Sequence, residues 1–279
     1  MCEIEYVSER WRDLLHCNHV DSFEALWQLE QDNWFEAPNR RRGGWSGVCR
    51  TTLALPGEGE VGVFIKRQEN HVYHGWRHLF RPMATFEREY HNILAFQKYG
   101  IPTVDLIYFG QRKVGGKLRA ILVTRELTGY QALDAYAGSF PASMDSLTRK
   151  KLFESMATAM RAMHARHFQH NCLYPKHLFI RNAEDHPVET RFIDLEKAKR
   201  WPLKRNVALK DLGTLHRHTE HCSKTDRLRF FLAYRQEKRL SDRSRKMLAA
   251  IMQGKKSHRD GNGKPSDSGE LISRLQDAS

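Results

Sequence analysis

Apolar residues recur at two different spacings along the chain, and each spacing predicts a different element. The run 48–55 alternates, the run 61–66 is a mostly apolar strand pattern, and the turn residues 56–59 (Pro-Gly-Glu-Gly) separate the two runs. Two strand patterns on either side of such a turn predict a β-hairpin. Residues 83–98 instead carry apolar side chains at helical spacing and are followed by Gly100 and then a proline. This predicts a helix that ends at that glycine.

The rest of the first half adds more strands and short helices. Residues 104–109 and 118–124 are predicted strands, joined through a Gly115-Gly116 turn. An edge strand before the glycines of residues 43–47 would bring the total to five. Residues 8–31 have the apolar spacing of short amphipathic helices.

The second half of the chain is mainly helical. Residues 146–167 predict one long helix, and helical patterns continue to about residue 252. Between them, 178–180 and 191–195 predict two short strands. From Gly254 to Gly269 the sequence is rich in Lys, Ser, Asp and Gly without apolar periodicity, which predicts a mobile tail.

This order of elements is the order of a bilobal protein-kinase-like fold. We therefore predict an α+β protein with a small N-lobe, built on an antiparallel sheet and one helix, and a larger, mostly helical C-lobe. The expected divisions are an N-terminal helical extension (1–33), the N-lobe (34–126), the C-lobe (127–252) and a basic and polar tail (253–279). The order of elements does not establish the fold by itself. The fold prediction therefore depends also on the candidate nucleotide- and metal-binding residues.

Composition narrows the class of protein. With 40% hydrophobic residues the chain can bury a core and does not resemble a disordered protein. Its 46 Lys and Arg residues against 33 Asp and Glu give a net charge of +13, which favours an anionic partner such as a nucleotide, a nucleic acid, a phosphorylated glycolipid or an acidic membrane surface. The basic residues are spread along the chain without a helix-turn-helix or RNP signature, which argues against nucleic acid.

Cysteine usage and the N-terminus predict the compartment. The five cysteines are widely spread and form no CxxC pair, so no disulfide framework is expected, as in a reducing compartment. The first residues are charged and lack the apolar core of a signal peptide. No stretch approaches the roughly 20 apolar residues of a spanning helix. We expect a cytoplasmic protein whose membrane contact, where it occurs, is peripheral.

Residues 216–222 carry histidines and a cysteine, the residue types of a zinc site. His218 and Cys222 are spaced to share one face of a helix, as are Arg217 and His221. No second pair of ligands stands at zinc-finger spacing, which argues against such a site.

Lys66 is the first candidate for phosphate chemistry. It ends the apolar strand pattern Val-Phe-Ile-Lys, which is close to the Val-Ala-Ile-Lys pattern whose lysine reaches the α- and β-phosphates in kinases. Such a lysine needs a carboxylate from the following helix. Glu87 and Glu89 both lie there, and Glu89 is preferred from its position relative to the apolar face. The alternative is a lysine that merely ends an edge strand.

A glycine-rich segment precedes this strand. Residues 43–47 read Gly-Gly-Trp-Ser-Gly, and glycines allow backbone N–H groups to approach phosphate oxygens. Gly44, Ser46 and Gly47 are therefore candidate nucleotide-binding residues. The segment lacks the full G-x-G-x-x-G pattern, and a flexible turn is the alternative.

Asp194 is the candidate metal ligand. It follows the apolar pair Phe192-Ile193, at the position where kinases hold the Mg²⁺ that bridges the β- and γ-phosphates. A turn aspartate at a strand end is the alternative. The basic residues 197–205 that follow suit a phosphorylated sugar or anionic lipid head group as acceptor, although a solvated basic face has the same pattern.

Upstream, residues 170–180 correspond in spacing to the catalytic loop H-R-D-L-x-x-x-x-N of kinases. When His170 is placed on the histidine of that motif, Cys172 takes the position of the catalytic aspartate and His177 that of the metal-binding asparagine. A histidine can still bind a divalent ion. A thiol, with an ordinary pKa of about 8.5, does not simply replace a carboxylate.

Together these segments resemble the lipopolysaccharide kinase (Kdo/WaaP) family, especially its InaA-like branch. The resemblance covers roughly residues 40–220 in the family's order, with matching stretches at 44–48, 63–66, 88–103, 170–180, 192–196 and 210–213. It implies a kinase-like fold that binds ATP and Mg²⁺ and phosphorylates a heptose or Kdo hydroxyl of the lipopolysaccharide inner core, at the cytoplasmic face of the inner membrane. It also implies an interlobe hinge at Glu126 and Leu127, and a structural role for Asp211 in bonding the backbone of the catalytic loop.

Cys172 is the departure from the active members of the family, which carry the catalytic aspartate there. Phosphoryl transfer depends mainly on positioning and electrostatics, so loss of that base damages turnover without abolishing it by necessity, and Asp194 or Glu196 could help to accept the proton. Two hypotheses stay open. One is an active sugar kinase, and the other is a pseudokinase that binds nucleotide or a partner as a stress-related regulator.

Overall fold

The structure, a computed structural model, describes residues 3–29, 34–41, 43–73, 83–138, 145–182, 186–202, 207–219 and 222–253. The predicted mobile tail lies outside these residues. Two compact units are present: the first comprises Met1–Ala95 and Val104–Thr128, and the second comprises Phe96–Thr103 and Gly129–Ser279.

The first unit is built on a six-stranded antiparallel sheet. In chain order its strands are β1 (Ile4–Val7), β2 (Glu36–Arg41), β3 (Gly44–Ala54), β4 (Glu60–Glu69), β5 (Val72–Tyr73), β6 (Met83–Ala84), β7 (Leu106–Val114) and β8 (Lys117–Arg125). The sheet has the order β1-β7-β8-β4-β3-β2, and β5 and β6 form a separate short pair. The predicted hairpin and the two later strands are confirmed as β3–β4 and β7–β8.

One face of this sheet packs against two short helices, α1 (Arg12–Cys17) and α2 (Phe23–Gln28), which fall where amphipathic helices were predicted. Alternate residues of β3 and β4 point to that face because successive side chains of a strand lie on opposite sides. The shared core contains Leu53, Val61, Val63 and Ile65 from the two strands, and Leu14, Leu15, Phe23, Leu26 and Trp27 from the helices.

Arg67 fixes α2 to the sheet. Its side chain is fully buried, and its guanidinium donates to the carbonyl oxygen of Leu26 at 3.0 and 2.9 Å. It also donates to the carbonyl of Leu29 and lies 3.1 Å from the sulfur of Cys49. The last carbonyls of a helix lack partners within the helix, and a cation suits that end of its dipole. A buried charge therefore holds the end of α2 in place.

Strand β1 departs from the prediction that residues 1–33 form a helical extension. Ile4–Val7 pairs antiparallel with β7, with Tyr6 opposite Phe109, and so adds a sixth strand to the expected five. Four residues show too little alternation to reveal a strand. Tyr108 donates to Glu5 at 2.7 Å, a long-range contact that local pattern cannot predict.

Helix α3 (Thr85–Lys98) confirms the prediction for residues 83–98. Tyr90 stacks on Phe109 of β7 with ring centroids 4.4 Å apart, and it contacts Tyr6 of β1 at 5.5 Å. These aromatic contacts orient the helix on the sheet, so that Glu89, one residue earlier, is placed by the same packing.

The second unit is mainly helical, as predicted. Its elements are β9 (Gln131–Ala132), α4 (Leu133–Gly138), α5 (Ser146–Ala165), β10 (Phe168–Gln169), β11 (Leu178–Arg181), β12 (Glu189–Phe192), β13 (Lys199–Arg200), α6 (Val207–Arg217), α7 (Lys224–Arg235) and α8 (Asp242–Met252). The strands form two small sheets, β12-β11-β9 and β10-β13.

Helix α5 organises this unit. Asp145 caps it by accepting hydrogen bonds from the backbone N–H groups of Leu147 and Thr148. Most of its large apolar side chains are buried, among them Leu152, Phe153, Met156, Met160 and Met163, whereas Leu147 in the first turn is exposed. The long helix is therefore held by an amphipathic face, as its spacing predicted.

The predicted strand 191–195 was wrong at its end. Strand β12 stops at Phe192, and residues 195–197 form a 3₁₀ turn. Asp194 lies between them in the left-handed region, with φ 55° and ψ 59°. A non-glycine residue adopts that conformation at an energetic cost and cannot continue a strand. Apolar composition alone does not show where the ladder ends.

Gly44 tests the packing of the first unit. A Cβ at this position would lie 2.2 Å from the backbone oxygen of Glu69. Because backbone cannot move aside as a side chain can, we expect Gly44→Ala to lower the free energy of unfolding by about 1–3 kcal/mol. The exposed Thr52→Ala on the same strand should change it by about 0.5 kcal/mol or less. Urea unfolding followed by circular dichroism measures both, and equal midpoints would contradict the packing described.

Candidate active site

Lys66 and Glu89 form an ion pair in the first unit. The Lys66 Nζ lies 2.7 Å from the Glu89 Oε1, and the glutamate side chain is only 4% exposed. Glu87 is also buried, and its Oε1 lies 3.8 Å from Nε2 of His91 on the next turn. The structure therefore brings the predicted lysine to the carboxylate that the sequence analysis preferred.

The glycine-rich segment is strand rather than loop for most of its length. Gly44, Ser46 and Gly47 belong to β3: Gly44 pairs with β2, Gly47 pairs with β4, and Ser46 pairs with both strands. Gly43, with φ +74°, lies in the turn just before. A Cβ on Gly47 would lie 2.4 Å from the Trp34 ring. Gly44 and Gly47 thus have packing reasons to be glycine, and their binding of phosphate stays a prediction.

Glu126 makes a bidentate ion pair that the sequence did not reveal. Arg50 donates to its two oxygens at 2.8 and 2.9 Å, and the carboxylate in turn raises the pKa of Arg50. The backbone N–H of Glu126 donates to Gly62 at 2.8 Å. Leu127 follows in irregular backbone, close to the end of the first unit at Thr128. Seventy-six residues separate the pair along the chain, so only tertiary structure shows it.

In the second unit, Asp211 organises the loop at residues 170–177. This carboxylate is fully buried on α6. Its Oδ2 accepts from the backbone N–H of His170 at 2.7 Å, and its Oδ1 accepts from that of Asn171 at 3.0 Å. His164 of α5 lies 3.2 Å from Oδ2. These backbone contacts are the kind that the family resemblance implies for Asp211.

Other bonds tie the loop to the strand end that carries Asp194. His170 Nε2 lies 3.0 Å from the carbonyl oxygen of Ile193, and because a carbonyl only accepts, this nitrogen is the donor. Asn171 donates to the carbonyl of Lys197 at 2.9 Å and accepts from Lys210 at 3.0 Å. Lys210 was not singled out from the sequence, although it stands next to Asp211 in a stretch that matches the family.

His177 and Asp194 meet at the open end of the hairpin formed by β11 and β12. Leu178 of β11 pairs with Phe192 of β12, which brings the residues just outside the hairpin together. The His177 Nδ1 lies 2.7 Å from the carbonyl oxygen of Cys172 and so must donate. Its Nε2 lies 3.3 Å from Oδ2 of Asp194. Burial lowers the pKa of His177 to about 4, so the ring is neutral at neutral pH and Nε2 presents a lone pair.

These two atoms suit a divalent cation. A nitrogen lone pair and a carboxylate oxygen repel each other when they face directly, and a shared cation removes that repulsion. Among the described residues, no group of three or more His, Cys, Asp or Glu side chains is placed to hold a metal. The protein here offers two ligands, and phosphate oxygens and water complete such shells in kinases.

Cys172 lies beside this pair but is not a base. Burial raises the pKa of its thiol, although the nearby Lys197 and Lys210 act in the opposite direction. The side chain is therefore a neutral thiol at neutral pH. It cannot accept a proton as the aspartate of an active kinase does.

The basic residues after Asp194 have several roles. Lys199 lies over the Trp201 ring at 4.0 Å, and Arg200 donates to Tyr99 at 2.8 Å. Both also form the short strand β13. The pair Lys204-Arg205 lies outside the part of the chain that the structure describes. Among the described members of this group, Lys197 acts on the candidate site by lowering the pKa of Cys172.

The sheet-and-helix first unit and the helical second unit define a protein-kinase-like fold. The structure superposes on WaaP in complex with acyl carrier protein with a TM-score of 0.60, covering 98% of this chain and 97% of the WaaP chain at 20% identity. That likeness establishes the fold.

Sequence comparison then gives the family. The pattern of the lipopolysaccharide kinase (Kdo/WaaP) family matches residues 24–234. Protein InaA of Escherichia coli (strain K12) is 31% identical over 209 residues, which is 74% of this chain and 92% of InaA. The chain belongs to the lipopolysaccharide kinase (Kdo/WaaP) family, as its motifs predicted. None of the helices within the described residues has the length and apolar character needed to span a membrane.

Asp211 provides a test of how the loop is held. In Asp211→Asn one carboxylate oxygen becomes an amide donor, which leaves a buried backbone N–H without an acceptor. We expect a loss of about 1–3 kcal/mol in the free energy of unfolding. The exposed Glu154→Gln on α5 makes the same chemical change and should cost about 0.5 kcal/mol or less.

Hydrogen exchange adds a local measurement to this test. The amides of His170 and Asn171 should exchange faster in Asp211→Asn than in the wild type. Unchanged protection of both amides would contradict the role given to Asp211.

Proposed function

We propose that this protein is an ATP- and Mg²⁺-dependent phosphotransferase that phosphorylates a heptose or Kdo hydroxyl of the lipopolysaccharide inner core, at the cytoplasmic face of the inner membrane. The main support is the Lys66–Glu89 ion pair at 2.7 Å. Kinases require this pair to engage the nucleotide phosphates, and a chain without nucleotide has little need to bury a glutamate against that lysine.

In this proposal Lys66 binds the α- and β-phosphates and Glu89 holds it in place. Asp194 and His177 would hold the metal ion, and that ion would supply neutralisation of the negative charge on the phosphates. Asp211 keeps the loop that carries His177 ordered. The proposal requires the Lys66 side chain and the Asp194 side chain to face the same nucleotide.

The remaining predicted residues complete the nucleotide site in this proposal. The turn at Gly43 and the adjoining Gly44, Ser46 and Gly47 cover the phosphates. Glu126 and Leu127 form the hinge beside the base. The Arg50–Glu126 pair would then fix the conformation of the chain at the hinge.

Phosphoryl transfer forms a bond between the sugar oxygen and the γ-phosphorus and breaks the bond from that phosphorus to the β,γ-bridging oxygen. The sugar hydroxyl also loses a proton. Because Cys172 is a neutral thiol, that proton goes to Asp194, Glu196, a phosphate oxygen or water. The transition state is loose and most of its stabilisation is electrostatic, so turnover without the usual base is slow rather than absent.

The acceptor and the membrane contact follow from charge and family. The net charge of +13 favours a phosphorylated saccharide, or another anionic saccharide, and peripheral attachment to an anionic leaflet. Lys197 is the basic residue best placed to meet the acceptor. WaaP, the structural relative, has been captured with acyl carrier protein, and no contact described for this chain singles out such a partner.

A pseudokinase is the second candidate, and Cys172 is the observation that favours it. In that case the protein binds nucleotide, or a protein partner, without transferring phosphate. The Lys66–Glu89 pair fits both candidates, because nucleotide binding is common to them.

Nucleotide binding tests what the two candidates share. We expect ATP with Mg²⁺ to raise the melting temperature of the wild-type protein, because a ligand that binds only the folded state stabilises it. Asp194→Asn, which removes the anionic metal ligand, should lose the metal-dependent part of that rise. The exposed Asp21→Asn is the matched control and should keep it. The absence of any metal-dependent shift in the wild type would contradict both candidates.

Substitution of Cys172 separates the two candidates. Phosphate incorporation is measured from γ-labelled ATP into dephosphorylated core saccharide, with wild type, Cys172→Asp and Cys172→Asn. An active kinase should label the saccharide as wild type, and Cys172→Asp should be faster by about 10²–10⁴-fold, the usual contribution of a general base. Cys172→Asn should gain nothing. Labelling by Cys172→Asp alone would favour the pseudokinase.

A further inference from the structure

His177 points to a more specific metal requirement than the general kinase chemistry. We propose that the metal position at His177 and Asp194 is built to prefer Mn²⁺, or another first-row transition ion, over Mg²⁺, because one of its two protein ligands is an imidazole nitrogen. This inference rests on the proposed nucleotide binding and specifies the ion that accompanies the nucleotide.

The orientation of the His177 ring is the first support. Its Nδ1–H donates to the carbonyl oxygen of Cys172 at 2.7 Å, and the side chain is 10% exposed. Metal-binding histidines characteristically donate their other N–H to a backbone carbonyl or a carboxylate, which fixes the tautomer and makes the free nitrogen a better ligand. The same contact aims Nε2 at Asp194.

The separation of the two ligand atoms is the second support. Nε2 of His177 and Oδ2 of Asp194 are 3.3 Å apart. Two neighbouring ligands of an octahedral ion, each at about 2.1–2.2 Å, lie about 3 Å from one another. One ion can therefore touch both atoms with little movement of either side chain.

The strained backbone of Asp194 is the third support. Its φ of 55° and ψ of 59° are costly for a residue with a side chain. Residues held in such conformations cluster at functional sites, because surrounding structure must maintain them. Here the bonds from His170 to Ile193 and from Asn171 to Lys197 hold both ends of the segment.

Ligand chemistry then decides between the ions. Mg²⁺ takes oxygen ligands almost exclusively, whereas imidazole suits first-row transition ions. Protein kinases supply an asparagine oxygen at the corresponding position. Replacement of that oxygen by the Nε2 of His177 weakens the match to Mg²⁺ and improves it for Mn²⁺. Mg²⁺ still binds through Asp194 and the phosphates, so the proposed Mg²⁺-dependent activity is retained.

A second histidine–aspartate pair provides a matched control. His16 Nδ1 lies 3.1 Å from Oδ2 of Asp21, a similar distance, but the two side chains are 81% and 55% exposed. Water surrounds such a pair, so it has no fixed orientation towards a ligand. His16→Asn therefore makes the same chemical change as His177→Asn outside the proposed site.

The test is electron paramagnetic resonance of Mn²⁺ bound to the full chain with β,γ-methylene ATP. Histidine labelled with ¹⁵N identifies imidazole coordination through its electron spin echo modulation, which excludes signals from the adenine ring. We expect histidine nitrogen coupling in the wild type and in His16→Asn, and its loss in His177→Asn. Isothermal titration of the nucleotide with Mn²⁺ and with Mg²⁺ should show that the preference for Mn²⁺ falls in His177→Asn.

Each outcome has a separate meaning. Histidine coupling that disappears in His177→Asn supports the proposal, and so does a fall in the Mn²⁺ preference. Nucleotide and Mn²⁺ binding without histidine coupling would overturn the proposal and leave the proposed function intact. Failure of the wild type to bind the nucleotide with either ion would overturn both.

Discussion

The buried carboxylate of Asp211 is the constraint on which the second unit's candidate chemistry depends. A charged group excluded from water must be satisfied by donors, and Asp211 finds two of them in the backbone of residues 170 and 171. The loop cannot shift without breaking these bonds. Further along the loop, the carbonyl of Cys172 accepts a hydrogen bond from the ring of His177. This bond orients the ring so that its other nitrogen faces Asp194. One α6 residue thus fixes the loop that orients the proposed metal ligand His177.

In the first unit, the candidate phosphate-binding residue is positioned by the alternation of side chains between the two faces of strand β4. Lys66 and Arg67 are neighbours on β4, and successive side chains of a strand lie on opposite faces. Lys66 meets Glu89 of α3 on one face, and Arg67 is buried against the end of α2 on the other. The strand is therefore anchored on its core side directly behind the residue that is proposed to bind phosphate. A one-residue slip in register would exchange the two roles.

Much of this could be predicted from the sequence because it is periodic or stands in a short motif. The β3–β4 hairpin, α3 and α5 follow from apolar spacing, and Lys66 and Asp194 follow from their places after apolar strands. Contacts between distant segments could not be predicted. Arg50 and Glu126 lie 76 residues apart, and nothing local to either indicates the other. Strand β1 is defined by its pairing with β7, which lies far away in the sequence. The apolar composition of residues 191–195 predicted a strand longer than β12, which ends before the left-handed residue Asp194. The preference for Glu89 rested on helix phase, a local property.

The N-terminal segment affects the behaviour of chains from which it has been removed. Strand β1 occupies the edge of β7, while α1 and α2 cover the apolar side of the same sheet. An uncovered strand edge can hydrogen-bond to another chain through its backbone donors and acceptors. An uncovered apolar face promotes hydrophobic association beside it. Fragments that begin after α2 would lack all three elements and would expose the edge and the face at once. Such shortened chains would then self-associate, whether or not they retain the proposed activity. The N-terminal elements β1, α1 and α2 therefore protect the intact protein from aggregation.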